Sequence, residues 1–384
     1  MSVFDPLRTL DPEASCLHNA VVARHRLLLR AFALLLGASA VPAHADVQIR
    51  ASYSEPANLF SLMDNVSGWL PEFTDAAYRE EWARRFGWSK LDQAWAARYS
   101  EYRHRTYKDP SQGRMPATSP DGLFAPSGAN TAESDPLATH FLRQRSVTVA
   151  LAHFSSVATS ADARTLKGFY RHFAPKWRTI LAESSGLAAN ATVLSDQMNT
   201  PGAIAFAARA SRFYRVSVKG KFQAFFVWFP PGRRSTAEVV AGRYFLIHVP
   251  PGQVSSDDWD GVAMHELMHY ISAHQSLEQK QALTKRFLAS CPQANRPKAL
   301  RLLEEPLAVA WGQAAYAKYG RGKPLNWNES WYAIPQVNIL GHILWPAVDR
   351  LYNTNATITD GIVDDAARRC AELFAAAEAL SGSQ

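Results

Sequence analysis

Apolar residues recur at helical spacing through most of this chain and bunch at strand spacing in one region. Over residues 78–107 the side chains Trp82, Phe86, Leu91, Trp95 and Tyr99 stand about one helical turn apart, after the apolar run Asn58-Leu59-Phe60-Ser61-Leu62-Met63. That spacing predicts packed helices, and an N-terminal helical region over residues 46–108. Further amphipathic helices are expected over 137–157, 161–183 and 362–380. The character changes at residues 212–229, which are dense in aromatic and β-branched side chains. With Lys219-Gly220 as a turn, this stretch predicts a hairpin. Residues 243–249 supply another strand, so a small sheet is expected over about 212–249. Residues 109–136, rich in Pro, Gly and Ser, carry no periodic apolar pattern and read as a linker or loop.

The next apolar stretch carries the chemistry. Val262, Met264, Leu267, Met268 and Ile271 are uncharged and predict a buried helix over about 257–275, with Ser255-Ser256-Asp257-Asp258 as N-cap and first-turn acids. On that helix lies His265-Glu266-Leu267-Met268-His269, the H-E-x-x-H spacing. Positions i and i+4 share a helix face with Cβ atoms about 6 Å apart, so His265 and His269 can grip one zinc ion. Glu266 stands about 100° further round the helix. That puts it beside the metal rather than on it, where it can take a proton from a water whose pKa the ion lowers.

Catalytic zinc takes a third protein ligand. A metzincin would need glycine at 272 and histidine at 275, where this chain has Ser272 and Gln275, so His274 is set aside. Downstream, Leu303-Glu304-Glu305-Pro306-Leu307-Ala308-Val309-Ala310-Trp311-Gly312 predicts a helix opening near Glu305, with Pro306 in its first turn. Glu305 shares a face with Ala308 and Gly312, small residues that let one helix approach another. Glu304 shares its face with Leu307 and Trp311, which would hold it away. Glu305 is therefore preferred over Glu304 as the third ligand.

With both motifs in view, residues 243–351 resemble the gluzincin superfamily of zinc metallopeptidases: H-E-x-x-H on one helix and a glutamate on a second, here in Glu305-Pro306-Leu307-Ala308. The resemblance implies a thermolysin-like zincin fold, hence an α+β chain. A small sheet would precede the active-site helix, between a mainly helical N-terminal region and a helical C-terminal lobe over 297–384, within a metallopeptidase region spanning 137–384. It implies His265, His269 and Glu305 on zinc and Glu266 as general base. It also implies an edge strand above the metal that pairs with an extended peptide, and residues 243–249 are the choice for that strand. Thermolysin-like members place an aspartate four residues after the glutamate to orient a zinc histidine. Here that position is Val309, so the acceptor must lie elsewhere or be a backbone carbonyl. Related gluzincins stabilise the oxyanion with a tyrosine or a histidine, for which Tyr332 and His342 are the candidates. Tyr332, just ahead of a helix opening near Pro335, is preferred. Cleavage of peptide or protein substrates is the expected activity. Hydrolysis of another bond by the same zinc site, and a non-catalytic envelope or peptide-binding protein on the zincin scaffold, are the alternatives.

Composition sets the bounds on this picture. The chain has 384 residues, of which 47% are hydrophobic and eleven are tryptophan, ample for a globular core. Its formal charge of +7 is dispersed rather than clustered, which argues against nucleic acid as a partner. Basic residues at 25–30, an apolar run over 31–43 and Ala43-His44-Ala45 predict a secretory signal peptide over residues 1–45, with translation beginning near Val21 or Val22. The mature protein is then expected to be periplasmic or secreted, without a membrane anchor. Cys291 and Cys370 would remain after cleavage; the sequence leaves open whether they pair.

Overall fold

The sheet explains why one stretch of this chain is so densely apolar. In the computed structural model, which describes residues 47–70, 74–107, 135–218, 220–233, 235–240, 244–253, 259–291, 296–332 and 335–381, four strands form one sheet. Strand β1 (Val47–Tyr53) runs parallel to β2 (Gly220–Trp228). The short β3 (Thr236–Val240) lies antiparallel to β4 (Tyr244–Val249), and β4 runs parallel to β2, giving the order β1-β2-β4-β3. Phe222, Ala224 and Phe226 point into one helical layer with Phe245, Ile247 and Val249. Phe225, Val227 and Leu246 point into the other. A strand covered on both faces must be apolar at every position, so alternation disappears.

That pattern accounts for the first correction. Residues 212–229 are not a hairpin: residues up to 213 end the helix Pro201–Phe213, and a single strand begins at Gly220. Thr200 caps that helix by accepting from the Ala203 N–H, with Pro201 at its first position. Phe206, Ala207, Ala210 and Phe213 then form its buried face. The second correction concerns the edge. Residues 243–249 were expected there, but β4 is interior and the edge beside it is β3. Nor is residues 46–108 wholly helical, since β1 opens it. The class is α+β, as expected.

Helices Glu55–Ser67, Ala76–Phe86, Lys90–Thr106, Ser160–His172 and Ala174–Ser184 form the layer on the Phe225 face, within one compact unit spanning Ala45–Gln384. The helix expected over 137–157 is broken into Pro136–Leu142 and Val147–Ala152, because Ser146 starts a new helix by accepting from the Val149 N–H. The helix expected over 161–183 divides at Phe173, ahead of Pro175 in the next first turn. Inside this layer the buried Arg103 pairs with Asp64 and with Asp135 at 2.6 Å. The signal peptide, the body of the 109–136 segment and the cap residues 255–258 lie outside the described residues. Among the described residues no helix is long and apolar enough to cross a membrane.

Two covalent or charged ties fasten helices together. Cys291, closing the helix Leu277–Ser290, is disulfide-bonded to Cys370 of the last helix, Asp360–Ser381, with Cα atoms 5.6 Å apart. Asp92, in the first turn of Lys90–Thr106, takes His172 at 2.7 Å and Lys176 at 3.0 Å, one from each of two neighbouring helices. Burial opposes its ionisation, but the Ser89 N–H, His172 and Lys176 outweigh that and hold its pKa at about 2.

Two outcomes follow. Replacing Cys291 with serine is expected to lower stability by about 2–5 kcal/mol, read as a fall in denaturation midpoint with a steeper slope, because the unbridged unfolded chain exposes more surface. For Asp92 the folded pKa lies below the unfolded value near 3.9, so its contribution is complete above that value and is lost as pH falls through about 2. Asp92→Asn should therefore flatten the acid limb of the stability profile between about pH 4 and pH 2, measured by urea titration at each pH.

Candidate metal centre

The H-E-x-x-H helix, Trp259–Ala273, is apolar around most of its circumference and is buried accordingly. Ala263, Met264, Leu267, Met268 and Ile271 all lie in the core cluster that covers one face of the sheet. Its first turn is tied down by a carboxylate. Buried Asp260 accepts from its neighbour's N–H at Gly261 (3.0 Å) and from the Tyr316 hydroxyl (2.9 Å), with Arg321 Nε at 3.3 Å.

The glutamate helix differs from the sequence expectation. It does not open near Glu305 but runs Arg296–Val309, with Pro306 inside it, and continues as a π-helix, Ala310–Gly320. Proline removes the N–H that would pair with the carbonyl four residues back, and the widened turns that follow are of a kind often found at functional sites. Gly312 sits on this π-helix directly against the zinc-motif helix. A Cβ there would stand 2.4 Å from His265 Cα and 2.6 Å from its nitrogen. No other residue permits so close an approach. Val309 is covered from the other side, where a Cβ on Gly341 would meet its Cγ1 at 2.9 Å. This position is apolar because it is a helix–helix contact.

The close approach brings three ligand groups together. His265 Nε2 and His269 Nε2 lie 3.0 Å apart. Glu305 reaches both, with Oε1 3.4 Å from His269 Nε2 and Oε2 3.6 Å from His265 Nε2. Among the described residues these three form a group whose ligand atoms all lie within 4.8 Å of one another. A tetrahedral zinc with bonds of 2.0–2.1 Å holds its ligand atoms about 3.3 Å apart, so the spacing suits that ion. Glu305 Oε2 and His265 Nδ1 are buried without a hydrogen-bond partner among the described residues. A cation would satisfy the first of these. Two imidazoles and one carboxylate are an ordinary catalytic zinc set.

The electrostatics are those of a buried, charged cluster. Burial would raise the Glu305 carboxyl, but His269 and His265 overcome it and hold the group well below the usual carboxylate range. Burial would lower His269, yet Glu305 and Glu304 carry it well above its ordinary value. Glu266, 9% exposed, is pushed up by burial; the two histidines pull it down, while Glu305 and Glu238 push it further up.

The remaining candidates separate. The Tyr332 ring stacks on His265 with centroids 5.6 Å apart, so it joins the cluster. The described contacts of His342 are elsewhere: its Nδ1–H donates to the Asn338 carbonyl at 2.8 Å and its ring stacks on Trp331 at 3.6 Å. His274 likewise donates from Nδ1 to the Tyr270 carbonyl. Glu304, the less preferred candidate on sequence grounds, places Oε1 3.5 Å from His269 Nδ1. Asp260 and Tyr316 were missed altogether, because in the sequence Asp260 follows Asp257 and Asp258 and reads as one more first-turn acid. Comparison with protein-family models, curated proteins and solved structures finds no match for this chain.

Gly312→Ala is expected to force the two helices apart, lowering stability by about 1–3 kcal/mol and weakening zinc binding, measured by denaturation and by chelator competition.

Proposed function

We propose that this chain is an exported zinc-dependent hydrolase acting on peptide bonds, with His265, His269 and Glu305 as the metal ligands. The observation that carries the reading is the convergence of these three side chains from two helices, with the buried Glu266 next to His265 in sequence. A zinc ion there would supply Lewis acidity, lowering the pKa of a water and polarising a carbonyl.

The chain's own residues do the rest. Glu266 takes the proton of the attacking water and returns it to the leaving amine, a role that suits a carboxyl whose pKa burial raises above its ordinary value. Tyr332, stacked on His265, is the better-placed candidate for donating a hydrogen bond to the oxyanion. Strand β3 packs against the zinc-motif helix and is an edge of the sheet, so an extended peptide can add to it through main-chain hydrogen bonds. The apolar core packs around the helix that carries the two histidines, while the Glu305 side chain stays 24% exposed on the open side of the cluster. The Cys291–Cys370 disulfide agrees with an oxidising compartment, and so with export.

Glu266→Gln should leave one zinc per chain, by elemental analysis, and reduce turnover of a mixed peptide library by about 10²–10⁴-fold. Undiminished turnover would remove Glu266 from the mechanism. A wild-type chain that takes up no zinc would overturn the hydrolase reading, and one that binds zinc and peptides without cleaving them would favour a peptide-binding role.

A further inference from the structure

Glu304 and Glu305 are consecutive on one helix, and both carboxylates reach the same imidazole from opposite sides. Glu305 Oε1 faces His269 Nε2 at 3.4 Å, while Glu304 Oε1 faces His269 Nδ1 at 3.5 Å. Successive helical side chains diverge by about 100°, enough for the pair to bracket a ring inserted between them. The two nitrogens of an imidazole divide their roles: the one that carries the proton is set by the partner of that proton, and the other keeps its lone pair for a metal. Metal-bound histidines characteristically donate their second N–H to a carboxylate or carbonyl, which fixes ring and tautomer.

Resting on the zinc reading above, we propose that Glu304 is a positioning residue: it accepts the Nδ1–H of His269, leaving the Nε2 lone pair directed at the metal and fixing the ring. It takes up the orienting function that the apolar Val309 position does not supply. The two histidines are then unequally supported. His265 Nδ1 is buried with no hydrogen-bond partner among the described residues; Tyr332 stacks on its ring, and Gly312 lies against its backbone. His269 is held by charge and His265 by packing. The Glu304 carboxylate also bears on Tyr214, a buried phenol that burial raises and the Glu304 charge raises further. Glu304 thus lies where its charge is felt in the interior, although its side chain is 30% exposed.

The test compares zinc affinity, by competition with a chelator of known strength, in wild type, Glu304→Ala, Glu304→Gln and Glu305→Ala, with the His269 tautomer followed by imidazole nitrogen NMR in the zinc-loaded protein. Glu304→Ala is expected to weaken zinc binding about 10–100-fold and to shift the His269 Nδ1–H resonance. Glu304→Gln, whose amide oxygen can still accept that proton, should recover most of the affinity and the resonance. Glu305→Ala should lose the metal. Wild-type affinity in Glu304→Ala would overturn the role of Glu304 alone. Loss of zinc in both Glu304 variants with retention in Glu305→Ala would make Glu304 the ligand instead. Should Glu304→Ala fail to fold, the wild-type tautomer decides: zinc on Nδ1, or no proton there, overturns the proposal. A wild type that takes up no zinc overturns both this role and the reading it rests on.

Discussion

The contact on which the candidate site depends is the one between Gly312 and the backbone of His265. Everything that makes the ligand cluster follows from how near those two helices come. Glutamate is a long side chain, but a carboxylate must reach two imidazole nitrogens while its own helix stays packed. That is possible because Gly312, on the π-helix that continues from Glu305, has no Cβ to strike His265. The first turn of the zinc-motif helix is held to the same π-helix through Asp260 and Tyr316. One close contact and one buried hydrogen bond together fix the two helices along their length.

What the sequence discloses about this site is what local spacing can carry. The i, i+4 histidines, the adjacent Glu266 and the choice of Glu305 through its Ala308–Gly312 face all depend on helical periodicity, and the geometry brings His265, His269 and Glu305 together. Gly312 is found on that face, at the contact itself. The extent of the glutamate helix was misjudged because Pro306 is favourable in a first turn and also tolerated in an interior that is already widening into π-geometry. Glu304 was misjudged for a related reason. Treating a helix face as flat suggested that Leu307 and Trp311 would hold its carboxylate off, yet those residues pack deeper in the core while a long side chain reaches past them to His269.

The sheet was legible in composition but not in topology. A run such as Gly220–Trp228, buried on both faces, loses the alternation that distinguishes one strand from two. Strand β1 pairs with a partner more than 160 residues away, as in Ala51 with Ala224, and no local pattern announces a pairing of that span. Strand β3 is only five residues long and two of them, Thr236 and Glu238, are polar, so no apolar run marks it in the sequence.

The N-terminal helical layer then has a structural reason to exist. It covers the sheet face opposite the His265–His269–Glu305 group, and it also reaches the edge strand through a chain of polar contacts. Tyr78 places its hydroxyl between the Trp228 carbonyl (2.7 Å) and His248 Nδ1 (2.6 Å), and His248 Nε2 lies 3.1 Å from Glu238 of β3. Glu238 in turn is among the charges that raise Glu266. A short edge strand paired on one side only would fray if it depended on its ladder alone. Here a buried histidine on β4 links it to a helix of the far layer, so the strand beside the candidate site is braced from the opposite side of the sheet. The two helical layers are therefore not independent of each other: one carries the candidate ligands, and the other braces the strand that packs against the helix bearing His265 and His269.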